Sequence, residues 1–430
     1  MMTSMSAFKR FSSVALILAS ACLSSPAFSE QEEKTALADL VNLGLSLNPR
    51  VHAAVAELNS AKVNIEVEEG GYWPSLSISA GPENGLSELG YDLALTQMLY
   101  DWGETDSKVD VATAQMKQKI YSLLMVRSDV SLEVIEASLD IALANKQLTL
   151  VGDYTERLKK ILSLAEKRMR GNFSDRAELS RVRQAISYAG QQQAFLTGEL
   201  KDAEWRYMNL LHRQPTDLPL LTEMNDRLID KLPNEESIKK LIDASPKYME
   251  AREDLYIAVA NVQTAQAAER PNLVLQAQAQ RREIDGELTD DSSVAVRFQM
   301  ELGQGLSNFK RTDMQRIQVE AAQWNLDSVA LEMERDIYSN KESVTALYHQ
   351  QNAIKEQLQQ TKILIHTYQA QFNAGLRTIE ELLSVERENY ELISQLVNNI
   401  IESYRLPYRS ASALGILPEL LIEQKNTALN

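Results

Sequence analysis

The fold is decided by residues 130–169, which read VSLEVIEASLDIALANKQLTLVGDYTERLKKILSLAEKRM. Apolar or small residues recur there at alternating spacings of four and three: Val130, Val134, Ala137, Ile141, Ala144, Leu148, Val151, Thr155, Leu158, Leu162, Ala165 and Met169. Such a sustained heptad pattern is typical of a coiled coil. We therefore predict one helix from Glu104 to Arg168, roughly 100 Å long at about 1.5 Å per residue.

The same plan is present twice along the chain. The second half repeats the seam: Leu326, Ala330, Met333, Ile337, Val344, Leu347, Ile354, Leu358, Ile365, Tyr368 and Phe372. Gly171 and Gly375 each interrupt the heptads, as expected of the turn between antiparallel helices. We predict a first repeat over 30–213 (strands at about 75–100, helices over 104–212), a connector over 214–244, a second repeat over 245–410 (strands at about 272–303, helices over 310–406) and a tail over 411–430.

Each repeat also contains two short segments with a period of two. In the second repeat, apolar Val294, Val296 and Phe298 alternate with polar or small neighbours. This alternation indicates strands that separate two environments, and segments of about ten residues match tilted membrane-spanning strands. On this interpretation, the polar positions that line a wet lumen are Gln276, Gln278, Arg297 and Gln299.

Four strands per chain are too few to close a membrane barrel. Each unpaired backbone group in lipid costs several kcal/mol, and barrels built from one chain begin at about eight strands. Strands from other copies of the chain must therefore join them. Two copies is the minimum and three copies give twelve strands, and this arithmetic does not choose between them. The predicted fold class is mostly α, with two tandem repeats and a membrane β-barrel contribution.

Composition excludes several classes of protein. The 430 residues include only 16 glycines and 11 prolines, which argues against collagen-like and disordered chains. The net charge of −16 disfavours binding to nucleic acid. The four histidines are scattered and no nucleotide-binding or hydrolase motif is present, so we expect no metal, no cofactor and no enzyme activity.

The first residues have the pattern of a targeting signal. Lys9 and Arg10 precede an apolar run that is too short to span a membrane, and Ala27-Phe28-Ser29 fits a cleavage site. We predict a secretory signal peptide over 1–29. Cys22 leaves an alternative open, because Ala19-Ser20-Ala21-Cys22 loosely resembles a bacterial lipoprotein box.

Several short motifs lie in a fixed order on this duplicated plan. They are Trp73-Pro74 before the first strand, Leu99-Tyr100-Asp101-Trp102-Gly103 before the first long helix, and residues 372–383, which read FNAGLRTIEELL. Together they resemble the TolC family of bacterial outer membrane export channels over nearly all of the mature chain. The resemblance implies a homotrimer with a twelve-stranded barrel in outer membrane lipid and a twelve-helix tunnel in the periplasm. It also implies docking to an inner-membrane pump through a periplasmic adaptor protein.

The resemblance also implies a gate at the periplasmic end. Arg377 corresponds to the family's arginine that holds the closed tip, and Glu381 to the first acidic residue of a constriction ring. Ser384 replaces the second acidic residue, with Glu380 or Glu386 as candidate substitutes. Asp175 and Glu178 are the candidate partners of Arg377. The tips expected to contact the adaptor contain Gly171, Asn172, Gly375 and Leu376.

Two other classes compete with the channel. One is a soluble periplasmic coiled coil whose strands form small sheets, and the other is the adaptor itself, which carries one coiled-coil hairpin in β-rich modules. The cargo is not encoded in the chain, since drug efflux and type I protein secretion use similar conduits.

Overall fold

The computed structural model describes residues 37–83, 88–171, 176–216, 235–284, 287–300 and 307–421. The predicted signal peptide, Cys22, Asn172 and Asp175 lie outside these ranges. Contacts within the chain group residues 35–430 into one unit, to which all the described residues belong.

The first repeat consists of two helices, two strands and two long helices. Its elements are α1 (Leu37–Leu47), α2 (Pro49–Glu69), a 3-10 turn (Gly70–Tyr72), β1 (Ser75–Glu83), β2 (Glu88–Tyr100), α3 (Glu104–Arg170) and α4 (Arg176–Leu211). At the start of α2 the Asn48 side chain accepts a hydrogen bond from the Arg50 N–H at 2.8 Å. Pro49 follows in the first turn, where its missing N–H is not needed.

The second repeat has the same order of elements. They are α5 (Glu235–Asp243) in the predicted connector, then α6 (Pro246–Ala267), β3 (Asn272–Ile284), β4 (Glu287–Gln299), α7 (Asn308–Asn373) and α8 (Ile379–Ala413). At the start of α6 the Ser245 hydroxyl accepts a hydrogen bond from the Tyr248 N–H at 3.3 Å. β4 ends at Gln299, so Met300 of the predicted strand segment follows the strand. The predicted fold class, mostly helical with a small antiparallel sheet and two repeats, is confirmed.

Helix α3 is the central element of the helical part. It packs against α2, α4, α6 and α8, whereas α7 packs against α6 and α8. The main core lies where α1, α3, α4 and α8 meet, around Leu40, Val134 and Tyr207. A Cβ atom on Gly44 of α1 would lie 2.7 Å from Val134 Cγ2, so this close approach of α1 to α3 requires glycine.

The four strands form one antiparallel sheet in the order β1-β2-β3-β4. The pair of strands from the first repeat therefore joins the pair from the second repeat through the β2–β3 contact. A register shift between Met98 and Tyr100 ends the regular part of β2, just before the chain turns into α3.

Candidate functional site

The strand register sorts the side chains onto two faces of different polarity. One row across the sheet pairs Leu76 with Leu95, Leu95 with Ala277, and Ala277 with Val294. Leu76 and Val294 are 63% and 73% exposed, and nothing in the described part of the chain covers this apolar face. A soluble sheet normally buries such a face against a core.

The opposite face of the sheet is polar. All four predicted lumen residues lie on it, where Gln276 pairs with Ala295, Gln278 with Ser293, Arg297 with Val274, and Gln299 with Asn272. Hydrogen bonds link side chains along this face: Gln278 Nε2 donates to Asp92 Oδ1 at 3.3 Å, and Gln280 Nε2 donates to Asp291 Oδ2 at 3.2 Å. The sheet therefore has one apolar face and one polar face.

A short turn directs the chain from the sheet into the long helix. Trp102 and Gly103 both have positive φ angles, of 61° and 83°. Asp101 then caps α3, since its carboxylate accepts hydrogen bonds from the N–H groups of Gly103 (3.1 Å) and Thr105 (2.7 Å). Burial alone would raise the pKa of Asp101, but the hydrogen bonds from Thr105 and Gly103 outweigh it and lower the pKa.

The same turn ties the two repeats together. The Trp102 indole Nε1 donates to the Pro271 carbonyl at 3.0 Å, immediately before β3. The Arg270 guanidinium lies over the Trp102 ring at 4.9 Å, and Tyr100 meets that ring edge-on. Trp102 therefore links the turn before α3 to the residues that precede β3, a contact that the sequence did not reveal.

The tip of the second helical hairpin is ordered by its own backbone. Gly375 has φ +78°, and the N–H groups of Gly375 and Leu376 donate to the carbonyls of Phe372 (3.0 Å) and Gln371 (2.9 Å). This is the Schellman arrangement that ends a helix with a left-handed glycine. Gly171 ends α3 with φ −85°, so only the second of the two tip glycines is left-handed.

Arg377 and Glu381 form a local pair at the start of α8. The carboxylate of Glu381 accepts from the Thr378 N–H at 3.0 Å and pairs with the Arg377 guanidinium, while Thr378 completes a capping box. The hydrogen bond from the Thr378 backbone, followed by that from Arg377, lowers the pKa of Glu381. The hydrogen bond to Glu381 raises the pKa of Arg377, which also donates to Gln371 at 3.0 Å and stacks on Tyr368 at 4.2 Å.

The other predicted gate residues occupy different surroundings. Glu380 pairs with Arg181 of α4, and Ser384 is exposed. Glu386 is buried and paired with Arg157 Nε at 2.9 Å, so it is not available as an acidic residue in a ring. Arg377 contacts residues of its own hairpin and its own cap, namely Tyr368, Gln371 and Glu381.

Sequence reasoning missed the residues that join the two helical hairpins. The Arg168 guanidinium donates to the Phe372 carbonyl at 2.5 Å and stacks on its ring at 4.4 Å. Tyr154 stacks on Tyr390 with ring centroids 4.8 Å apart, and burial raises the pKa of the Tyr154 hydroxyl to about 12. The heptad pattern gave no signal for these contacts, because Tyr154 and Arg168 each lie one residue before a seam position (Thr155 and Met169) and not on the seam itself.

No helix within the described ranges combines the length and apolar character that crossing a membrane requires. In the same part of the chain, no group of three or more His, Cys, Asp or Glu side chains is arranged to hold a metal ion.

Comparison with known proteins agrees with this architecture. VceC, an outer membrane protein of Vibrio cholerae, superimposes with a TM-score of 0.75 at 17% identity, covering 88% of this chain and 96% of that one. The open state of the MtrE outer membrane channel of Neisseria gonorrhoeae gives a TM-score of 0.71 at 17% identity, with 89% of both chains covered. These likenesses show the fold.

Sequence comparisons identify the family to which the chain belongs. Protein CyaE of Bordetella pertussis is 23% identical over 263 residues, which are 58% of this chain and 55% of CyaE, so the match spans about half of that relative. The profile of the outer membrane efflux protein family matches residues 40–211 and 237–399 of this chain. The predicted resemblance is confirmed: the chain belongs to the outer membrane efflux protein family.

Proposed function

We propose that the chain is one subunit of a homotrimeric channel in the bacterial outer membrane. Its helices would extend the channel as a tunnel into the periplasm, where an adaptor protein connects it to an inner-membrane pump. The channel is a passive conduit and not an enzyme. Both cargo classes, drugs and secreted proteins, fit such a conduit, and the pump selects between them.

The uncovered, open-edged sheet is the observation that carries this proposal. β1 and β4 each have one neighbour, and no other strand of the described residues pairs with their outer edges. In lipid an apolar face needs no cover, but open edges cost several kcal/mol for each unpaired group. Pairing β4 of one copy with β1 of the next removes both edges, and three copies give twelve strands.

The helices at the two sides of the subunit support the same assembly. On α7, the side chains of Ile317, Trp324 and Leu331 recur every seven residues and are about two-thirds exposed. We call these three side chains the α7 stripe. On α4, Phe195 and Trp205 are also exposed. Apolar residues at heptad spacing require a partner helix, and the α4 side of a neighbouring copy supplies one.

Purification of the native oligomer tests this proposal. We expect the protein to sediment with outer membranes, to require detergent, and to give an intact mass of three chains. In planar bilayers it should conduct ions. A monomer that dissolves without detergent, which is the behaviour of the rival soluble coiled coil, would contradict the proposal.

We place the gate of this channel at the tip of the second helical hairpin. Arg377 and Glu381 would hold the closed state, with Glu380 bound to Arg181 and exposed Ser384 on the same helix. Glu178 and Asp175 remain candidates for contacts across the subunit boundary. Three copies of Glu381 around a narrow axis would attract cations, each partly balanced by its Arg377.

We assign adaptor docking to the tips of both helical hairpins. The first tip contains Gly171 and Asn172, and the second contains Gly375 and Leu376. Leu376 is 77% exposed at the turn, so its side chain is accessible to a partner. An apolar side chain on a rigid turn is well suited to insert into a groove on the adaptor.

A further inference from the structure

One heptad position of α3 supplies much of its contact with the second helical hairpin. Every seventh residue from 140 to 168 lies on this stripe: Asp140, Gln147, Tyr154, Ile161 and Arg168. Asp140 accepts from Arg405 of α8 at 2.7 Å, Tyr154 stacks on Tyr390, and Arg168 donates to the Phe372 carbonyl. The stripe therefore tracks along the second hairpin from the C-terminal part of α8 to the tip.

The duplicated sequence places an equivalent row of residues on α7, which is distinct from the α7 stripe defined above. Gly375 lies 204 positions after Gly171, and the same offset converts the α3 stripe into Val344, Gln351, Leu358, Ile365 and Phe372. Gln351 is therefore the repeat equivalent of Gln147. Both glutamines are buried: Gln351 is 6% exposed and Gln147 is 4% exposed.

Both glutamines bind α8, from different sides. Gln147 Nε2 donates to the Ser394 carbonyl and to Asn398 Oδ1, both at 3.1 Å, and its Oε1 accepts from the Ser394 hydroxyl at 2.9 Å. Gln351 Nε2 donates to the Asn399 carbonyl at 3.1 Å and to Ser403 Oγ at 3.3 Å. The two contact points are offset by five residues, which places them roughly 140° apart around α8 at about 3.6 residues per turn.

The two contacts differ in which elements they join. Gln351 links α7 to α8, the two helices of one hairpin, so its hydrogen bonds move with that hairpin. Gln147 links α3 to α8, so its hydrogen bonds cross between hairpins. A buried amide that loses its partners costs free energy. Any motion that separates α8 from α3 at this level must therefore break the bonds of Gln147 and not those of Gln351.

We propose that Gln147 is a positioning residue that holds α8 in the register seen here against α3, that this register belongs to the closed channel, and that opening of the channel breaks the hydrogen bonds of Gln147. The proposal rests on the proposed channel function. Gln351, in the equivalent position of the second repeat, stabilises the hairpin without affecting the equilibrium between closed and open states.

The test compares Gln147→Leu with Gln351→Leu in planar bilayers. Each change removes a buried amide and leaves a side chain of similar size, so we expect similar losses of thermal stability. Gln147→Leu should raise the open fraction of the channel about tenfold, equivalent to about 1.4 kcal/mol. Gln351→Leu should leave the open fraction at the parent value.

Equal open fractions in the two variants would overturn the proposal, as would a Gln147→Leu oligomer that opens no more than the parent. If Gln147→Leu does not assemble, Ser394→Ala combined with Asn398→Ala removes two of the hydrogen bonds from the α8 side and should raise the open fraction. An unchanged open fraction in the Ser394→Ala, Asn398→Ala double variant would also overturn the proposal. A parent protein that conducts no current would instead contradict the channel itself.

Discussion

At the scale of single residues, the hairpin tip combines helix capping with a charge pair. Glu381 is held by the Thr378 backbone and by Arg377, and Arg377 is held in turn by Gln371 and Tyr368. Each contact is local, within ten residues of Gly375. Contacts within one subunit therefore order the tip of its second hairpin.

We predict that Arg377→Ala increases the leak current of the closed channel. The variant would remove the polar links by which Arg377 is proposed to hold the closed tip, and because such exposed links are weak the open fraction should rise by roughly a few fold. The matched control is Arg387→Ala, because Arg387 pairs with Glu391 in the same helix, 3.7 Å away, beyond the tip. Bilayer recordings in which both variants leak equally would remove Arg377 from the gate.

At the scale of elements, the long helices and the strands were predictable because each has a simple period. The heptads predicted a helix from Glu104, and α3 begins there. The pairing between helices was not predictable, since a seam of alanine and valine fits many partners. Tyr154 and Arg168 settle that pairing by reaching α8 and the end of α7. Glu386 was a candidate substitute for the second acidic residue of the ring, but in the structure it is buried beside Arg157 of α3.

The ion pair between Arg157 and Glu386 should stabilise the contact between α3 and α8. Glu386 is buried and Arg157 is partly exposed. We predict that Arg157→Met lowers the free energy of unfolding by about 1–3 kcal/mol, because it leaves a buried carboxylate without its partner. The double variant Arg157→Met with Glu386→Met should recover most of the loss. Thermal unfolding of the purified oligomer measures the stability of Arg157→Met, Glu386→Met and the double variant. A loss in the double variant equal to the sum of the losses in the two single variants would contradict this coupling.

At the scale of the whole molecule, the chain leaves two kinds of surface incomplete. The sheet has an uncovered apolar face and two open edges, and the helices carry apolar side chains at the sides of the subunit. In the proposed channel, lipid would cover the apolar face, and another copy of the chain would pair with the edges. In the proposed trimer, the neighbouring copy that closes the sheet would also bring its α4 side towards the α7 stripe, so that one interface would cover both surfaces.

Assembly should therefore depend on the α7 stripe. We predict that Trp324→Asp raises the monomeric fraction in detergent at least about tenfold, because it places a charge in an apolar seam between copies. The control is Asn325→Asp, which adds the same charge at the next exposed position, about 100° around the helix. Native mass measurement of both variants distinguishes the outcomes. Circular dichroism should show unchanged helix content in each, because neither side chain is buried within the subunit. Trimers that tolerate Trp324→Asp as well as Asn325→Asp would place the contact between copies on another face of α7.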